Sequence, residues 1–162
     1  MKKLLARTCL ALLICFNAMV NADIPQDSIY QLDTNWVDQN NQSINIKQLA
    51  GKKQLVAMIY THCLHACPII VSAMKAFETA LPAEQRKDYG FLLVSLTPDS
   101  DTPSVLKEFA KDRDLDENHW TLLTGDPQDV RSLAMTLGIQ YRPSEDDQLA
   151  HSNVYTLLDA KG

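Results

Sequence analysis

The stretch LVAMIYTHCLHACPII, Leu55 to Ile70, decides how this chain folds. Leu55 to Tyr60 is an unbroken apolar run, the signature of a strand buried on both faces. Two cysteines follow at a spacing of four, Cys63 and Cys67, and a proline comes directly after the second. Pro68 reads as the start of a helix, because the first helical N–H has no partner to lose. Apolar Ile70, Met74 and Phe77 then recur at helical spacing, with Pro82 beyond the end. A buried strand running through a cysteine loop into a helix places the loop where open α/β sheets carry their chemistry.

The pattern repeats outward. Phe91 to Leu96 and Val154 to Leu158 read as further buried strands, and Trp120 to Leu123 as a short one. Thr102 caps a helix with Pro103 at its first position, running to about Lys111. Asp126 caps another, Pro127 to Leu137, closed by Gly138. Tyr30 to Ile46 reads as a hairpin turning at Asp38 to Gln42, with a short helical turn over Ile46 to Leu49. Ser144 to Asp147 is an acidic loop. Strands alternating with helices imply a mostly parallel sheet covered on both faces, an α/β sandwich. Asp159 to Gly162 reads as a turn, and an edge strand and a helix beyond it are expected to be missing from this sequence.

Residues 1–22 read as a secretory signal: Lys2, Lys3 and Arg7, a short apolar run over Thr8 to Phe16, then Val20-Asn21-Ala22 at the cleavage positions. The run is far short of the roughly 20 residues that cross a bilayer. Export to the periplasm is the expectation, with an uncleaved N-terminus anchored to the inner membrane as the alternative. Cys9 and Cys15 leave with the signal, and Ile14 before Cys15 argues against lipid attachment. Residues 23–162 are long enough for one domain with its own core. Loss of three positive charges takes the formal net charge from −5 to −8. Such a surface disfavours nucleic acid and anionic membrane.

Cys63 and Cys67 lie on one face of a helical turn. They can form a structural staple, a redox couple, or two ligands of one ion. A helix N-terminus favours thiolate over thiol, so a lowered cysteine pKa is expected. So small a loop constrains the unfolded chain little, which weakens the staple. A metal site needs a third ligand from His62, His65, His119 or His151. His62 follows a strand end and reads as a packing or hydrogen-bonding residue. His65 stands between the cysteines, and His119 reads as an ordinary strand-start residue. His151 precedes the strand Val154 to Leu158, which can pair beside the central strand and bring the imidazole to the cysteines.

IYTHCLHACP, then SLTPDSDTPSVLKEFA, TLLTGDPQDVRSLAMTLGIQY and HSNVYTLLDAKG, resemble the Sco/SenC family from about Ser28 to the last residue. The resemblance implies a thioredoxin-like three-layer α/β/α fold with a mixed central sheet and an N-terminal hairpin. It implies copper, Cu(I) or Cu(II), held by Cys63, Cys67 and His151. The implied role is a periplasmic metallochaperone that assembles the dinuclear copper site of cytochrome c oxidase, a carrier more than a turnover enzyme. The implied partner is the copper-site subunit of the oxidase or another periplasmic copper or thiol protein. No small-molecule substrate and a monomeric state are expected. The alternative is a thiol-disulfide oxidoreductase in which Cys63 and Cys67 are redox-active and reduce the cysteines of a copper-accepting partner. A peroxidase is weaker, since nothing near Cys63 resembles the threonine and arginine arrangement of peroxiredoxins. Leu64-His65-Ala66 replaces the usual proline- or acid-bearing insert, and Thr97-Pro98 stands where many members have Asp-Pro.

Cleavage after Ala22 is expected, leaving Asp23 as the first residue. Mass spectrometry of protein recovered from the periplasm checks it, and an N-terminus at Met1 or a lipid on Cys15 would refute it.

Overall fold

The computed structural model describes residues 24–63, 66–143 and 149–162, so the signal segment, His65 and the acidic loop lie outside the described residues. In chain order the strands are β1 (Asn35–Asp38), β2 (Ser43–Asn45), β3 (Lys53–Ile59), β4 (Tyr89–Ser95), β5 (Trp120–Gly125), β6 (Tyr141–Pro143), β7 (Leu149–His151) and β8 (Tyr155–Leu158). The helices are α1 (Ala66–Ala80), the short α2 (Ala83–Arg86), α3 (Pro103–Asp112) and α4 (Pro127–Thr136). Six strands form one mixed sheet in the order β2-β1-β5-β4-β3-β8. The three central strands, β3, β4 and β5, run parallel. β1 joins β5, and β8 joins β3, in the antiparallel sense. The parallel character expected from sequence is thus confined to the centre.

Alternation along the central strands makes two cores. Leu55, Ala57, Ile59, Phe91, Leu93, Trp120 and Leu122 face one layer, where α1 and α3 supply Ile70, Val71, Met74, Leu106, Phe109 and Ala110. Val56, Met58, Leu92, Val94 and Leu123 face the other, covered by Val130, Leu133 and Ala134 of α4 and by Ile29, Tyr30 and Ile46. A strand buried on both faces must be apolar at every position, which is why β3 and β4 read as continuous runs. Three layers result, α/β/α.

The helix starts are set locally. The Thr102 side chain accepts the Val105 N–H at 3.5 Å, and Asp126 accepts the Gln128 N–H at 2.7 Å, each with proline next. Gly138 follows α4 with φ +68°, the left-handed conformation that ends a helix at least cost for glycine. α1 begins two residues before Pro68, so Cys67 stands inside its first turn.

The structure adds to or differs from these expectations at three places. The hairpin begins at Asn35, because Ile29–Gln31 is a 3-10 turn capped by the Ser28 side chain. β8 is the outermost strand of the sheet as described, and its Tyr155 and Leu157 are 53% and 54% exposed. Its apolar letters matched a central strand, but only Thr156 and Leu158 turn toward the body of the protein. β6 and β7, to which no element is assigned from sequence, form a separate antiparallel hairpin, Tyr141 opposite His151. Three-residue strands are too short to display a period.

Phe91 is fully buried in the central strand and stacks on Trp120 with ring centroids 4.9 Å apart. Phe91→Ala should lower unfolding free energy by about 3–5 kcal/mol. Urea denaturation measures it, and a loss below about 1 kcal/mol would contradict the packing described.

Candidate metal centre

The pairing of β8 with β3 decides what meets the cysteine loop. Ala57 lies opposite Tyr155, and the strands run in opposite directions. Residues before Tyr155 are therefore delivered to the carboxyl end of β3, where the loop begins. His151, at the end of β7, arrives there. Its Nε2 lies 3.7 Å from Cys67 Sγ, and the Cys67 backbone N–H donates to Cys63 Sγ at 3.3 Å. The two sulfurs and one imidazole nitrogen all lie within 4.8 Å of one another. Both cysteines are buried thiols, and His151 is half-buried.

A buried carboxylate braces the loop. Asp101 is fully buried and accepts four hydrogen bonds: Thr61 N–H at 3.2 Å, Thr61 Oγ1 at 2.6 Å, Ser95 Oγ at 2.6 Å and Thr97 Oγ1 at 3.0 Å. Leaving such a charge without partners would be costly, so the four donors fix its place and that of the loop. The β3–α1 loop is thereby tied to the turn after β4. Thr97, where many relatives are expected to carry aspartate, is part of that turn and donates to Asp101.

Electrostatics at the cluster differ from the expectation for a helix start. The Cys67 thiol is pushed up to about 12, chiefly by burial, then by the neighbouring Cys63, against a backbone hydrogen bond from Tyr60 and the charge of Arg113. The helix terminus gives its amide to Cys63 Sγ, but Cys67 itself sits too deep for the half charge of a helix end to prevail. Burial also lowers the pKa of His151, partly opposed by its hydrogen bond to the Ser152 carbonyl. That carbonyl lies 3.2 Å from Nδ1 and can only accept, which assigns the ring proton to Nδ1. The lone pair of Nε2 then faces Cys67. Two thiols and a neutral imidazole with its lone pair turned inward can hold a soft cation once the thiols give up their protons.

Of the four histidines considered from sequence, His151 alone joins the cysteines among the described residues. His62 is exposed, with Nδ1 3.2 Å from Thr61 Oγ1. His119 lies at the opposite, amino end of β5, with Nδ1 3.2 Å from Glu78 Oε1 and 3.4 Å from Asp116 Oδ2. Sequence reasoning misses Asp101, whose neighbours Thr102 and Pro103 read as a helix cap, and Tyr60, which reads as one more letter of an apolar run.

The fold and the site define a thioredoxin-like domain with two cysteines and one histidine at the carboxyl end of its central strand. Residues 24–162 match the SCO1/SenC family, and the chain belongs to it. A SCO1 protein homolog of Bacillus subtilis is 28% identical over 128 residues, 77% of this chain but 66% of that protein. A crystal structure of a SCO1/SenC family lipoprotein from Bacillus anthracis superposes with a TM-score of 0.71 at 28% identity, covering 81% of this chain and 79% of that one. Bradyrhizobium japonicum ScoI, solved with copper bound, shares the fold at a TM-score of 0.69 and 24% identity, over 80% of this chain and 82% of that one.

A thiol whose folded pKa lies above its ordinary 9.0 stabilises the fold fully below that value and stops doing so as pH rises toward about 12. The metal-free protein should therefore lose stability between roughly pH 9 and 11, more steeply than Cys67→Ala does, by up to about 1.4 kcal/mol per pH unit. Tyr30, also held up to about 12, contributes equally to both proteins, so the difference reads the thiol together with the smallest of the causes that raise Tyr60, its nearness to Cys67. Urea unfolding across that range checks it, and parallel curves would contradict the burial of a neutral Cys67.

Proposed function

We propose that this chain is a periplasmic copper carrier that takes the ion on Cys63 Sγ, Cys67 Sγ and His151 Nε2 and delivers it to the dinuclear copper site of cytochrome c oxidase. One observation carries the proposal: the three donor atoms lie within 4.8 Å of one another, although His151 is 84 residues from Cys67 in sequence. Thiolate pairs select soft ions such as copper(I), and an added imidazole suits copper in either oxidation state. Zinc would prefer a fourth ligand. Low coordination leaves room for an acceptor's ligand to join before the chain's own let go, which is what a carrier requires. Membership of the family supports the copper assignment, and the positive, apolar, small-residue order of residues 1–22 supports export.

A second reading is a thiol-disulfide reductant. The nearness of the sulfurs favours it. The two thiolates would join as a Cys63–Cys67 bond and pass two electrons to a partner's disulfide, whose sulfurs leave as thiolates. The raised Cys67 pKa speaks against Cys67 as the attacking sulfur, because the attacking species is the thiolate.

Anaerobic titration with copper(I) against a competing chelator should give one ion per reduced chain and none once Cys63 and Cys67 are joined. His151→Ala should lower affinity by roughly tenfold or more, most for copper(II), which relies most on nitrogen donors. Exchange with a small aromatic disulfide should change little in the same variant. Equal copper binding by the oxidised protein would remove the cysteines from the site. Failure of the loaded protein to restore the visible spectrum of a copper-free oxidase fragment would remove the oxidase from the proposal.

A further inference from the structure

Tyr60 touches every part of the cluster. It is the residue after β3 and is 6% exposed. Its carbonyl accepts the Cys63 N–H at 3.2 Å, and its backbone is hydrogen-bonded to the Cys67 thiol. Its ring meets the His151 imidazole edge to face, centroids 5.8 Å apart and planes at 80°. Its hydroxyl accepts the Leu149 N–H at 3.4 Å and is hydrogen-bonded to the Cys63 side chain.

The hydroxyl has one proton to give. The Leu149 amide is itself a donor and must take a lone pair of the oxygen, which leaves the proton for the Cys63 sulfur. A buried phenol needs such a partner. The strand that carries His151 needs the contact too. Among the described residues, β6 and β7 form a two-stranded sheet of their own, separate from the six-stranded one. An isolated hairpin of that size is marginal in water, so its position is set by what it docks against. Leu149 packs its side chain on both cores, and its amide is fixed by Tyr60.

We propose that Tyr60 is a positioning residue of this centre: its hydroxyl, shared between the Leu149 amide and the Cys63 sulfur, fixes the His151 strand against the cysteine loop. The metal-dependent part rests on the copper reading given above, while the docking part does not. A hydrogen bond to a ligand sulfur lowers the energy of the sulfur lone pair, so Tyr60 also tunes what the sulfur gives to an ion it holds.

Tyr60→Phe keeps the ring and removes only the hydroxyl. In the metal-free variant, amide exchange followed by NMR should quicken roughly tenfold at Leu149 and His151 and stay unchanged at Val56 and Leu92. In the copper(II) form, the sulfur-to-copper absorption should move to longer wavelength. Unchanged exchange together with an unchanged band overturns the proposal, and so does a uniform quickening across β3 and β4, which would mark Tyr60 as ordinary core. If the wild-type protein takes no copper, the carrier reading fails and the exchange measurement still decides the docking. Should the variant not fold, contacts in the wild-type NMR spectrum between the ring ε protons of Tyr60 and both the Leu149 amide and the Cys63 β protons stand in for it. Their absence overturns the proposal.

Discussion

Antiparallel pairing of β8 with β3 is the constraint on which the site depends. The cysteine loop is a local product of its own sequence: a buried strand, a turn and a helix start. The histidine is not. It is 84 residues from Cys67 and arrives only because Ala57 pairs with Tyr155 and the chain before Tyr155 must pass the loop. A register shift of one residue would turn every β8 side chain to the other face. Leu158, half-buried against the second core, then would face solvent, so the packing that sets the register also sets where His151 lands.

Two opposing pulls act on the cysteines. The start of α1 offers positive character and its amides, and Cys63 Sγ receives one of them. Burial opposes charge. At Cys67, which has no exposed surface, burial prevails and the thiol holds its proton. The helix start is legible in sequence through Pro68 and the spacing of Ile70, Met74 and Phe77. Depth is not, because it depends on which elements later cover the helix. That is why the expected lowering of the thiol pKa is reversed at Cys67.

The same distinction runs through the fold. β3, β4, α3 and α4 are legible because each carries its own signal: an unbroken apolar run, or a cap followed by proline. β8 carries the apolar signal, but the face that holds Tyr155 and Leu157 is uncovered among the described residues. The β6–β7 hairpin carries no signal at three residues a strand. His151 was therefore one candidate among four by spacing, and only the family resemblance distinguished it. Asp101 and Tyr60 were overlooked because each sits inside a pattern with a simpler explanation. A phenol within a run of aliphatic residues was the available clue, since a buried hydroxyl has to be satisfied somewhere.

Burial of a dithiol beside a neutral imidazole sets protons against any soft cation at this site. Two bare thiolates this close, with little water, would repel each other and lose solvation, so without a cation between them the pair is best protonated. A soft cation removes that penalty by supplying the positive charge that burial withholds. Protons and the cation thus compete for the same two sulfurs, and each displaces the other. Deeper burial makes the bare dithiolate worse and leaves both occupied forms tolerable. The exchange between them is then sharper than at an exposed pair. Asp101 adds to this without touching the sulfurs: by holding Thr61 through two hydrogen bonds, it fixes the backbone two residues before Cys63.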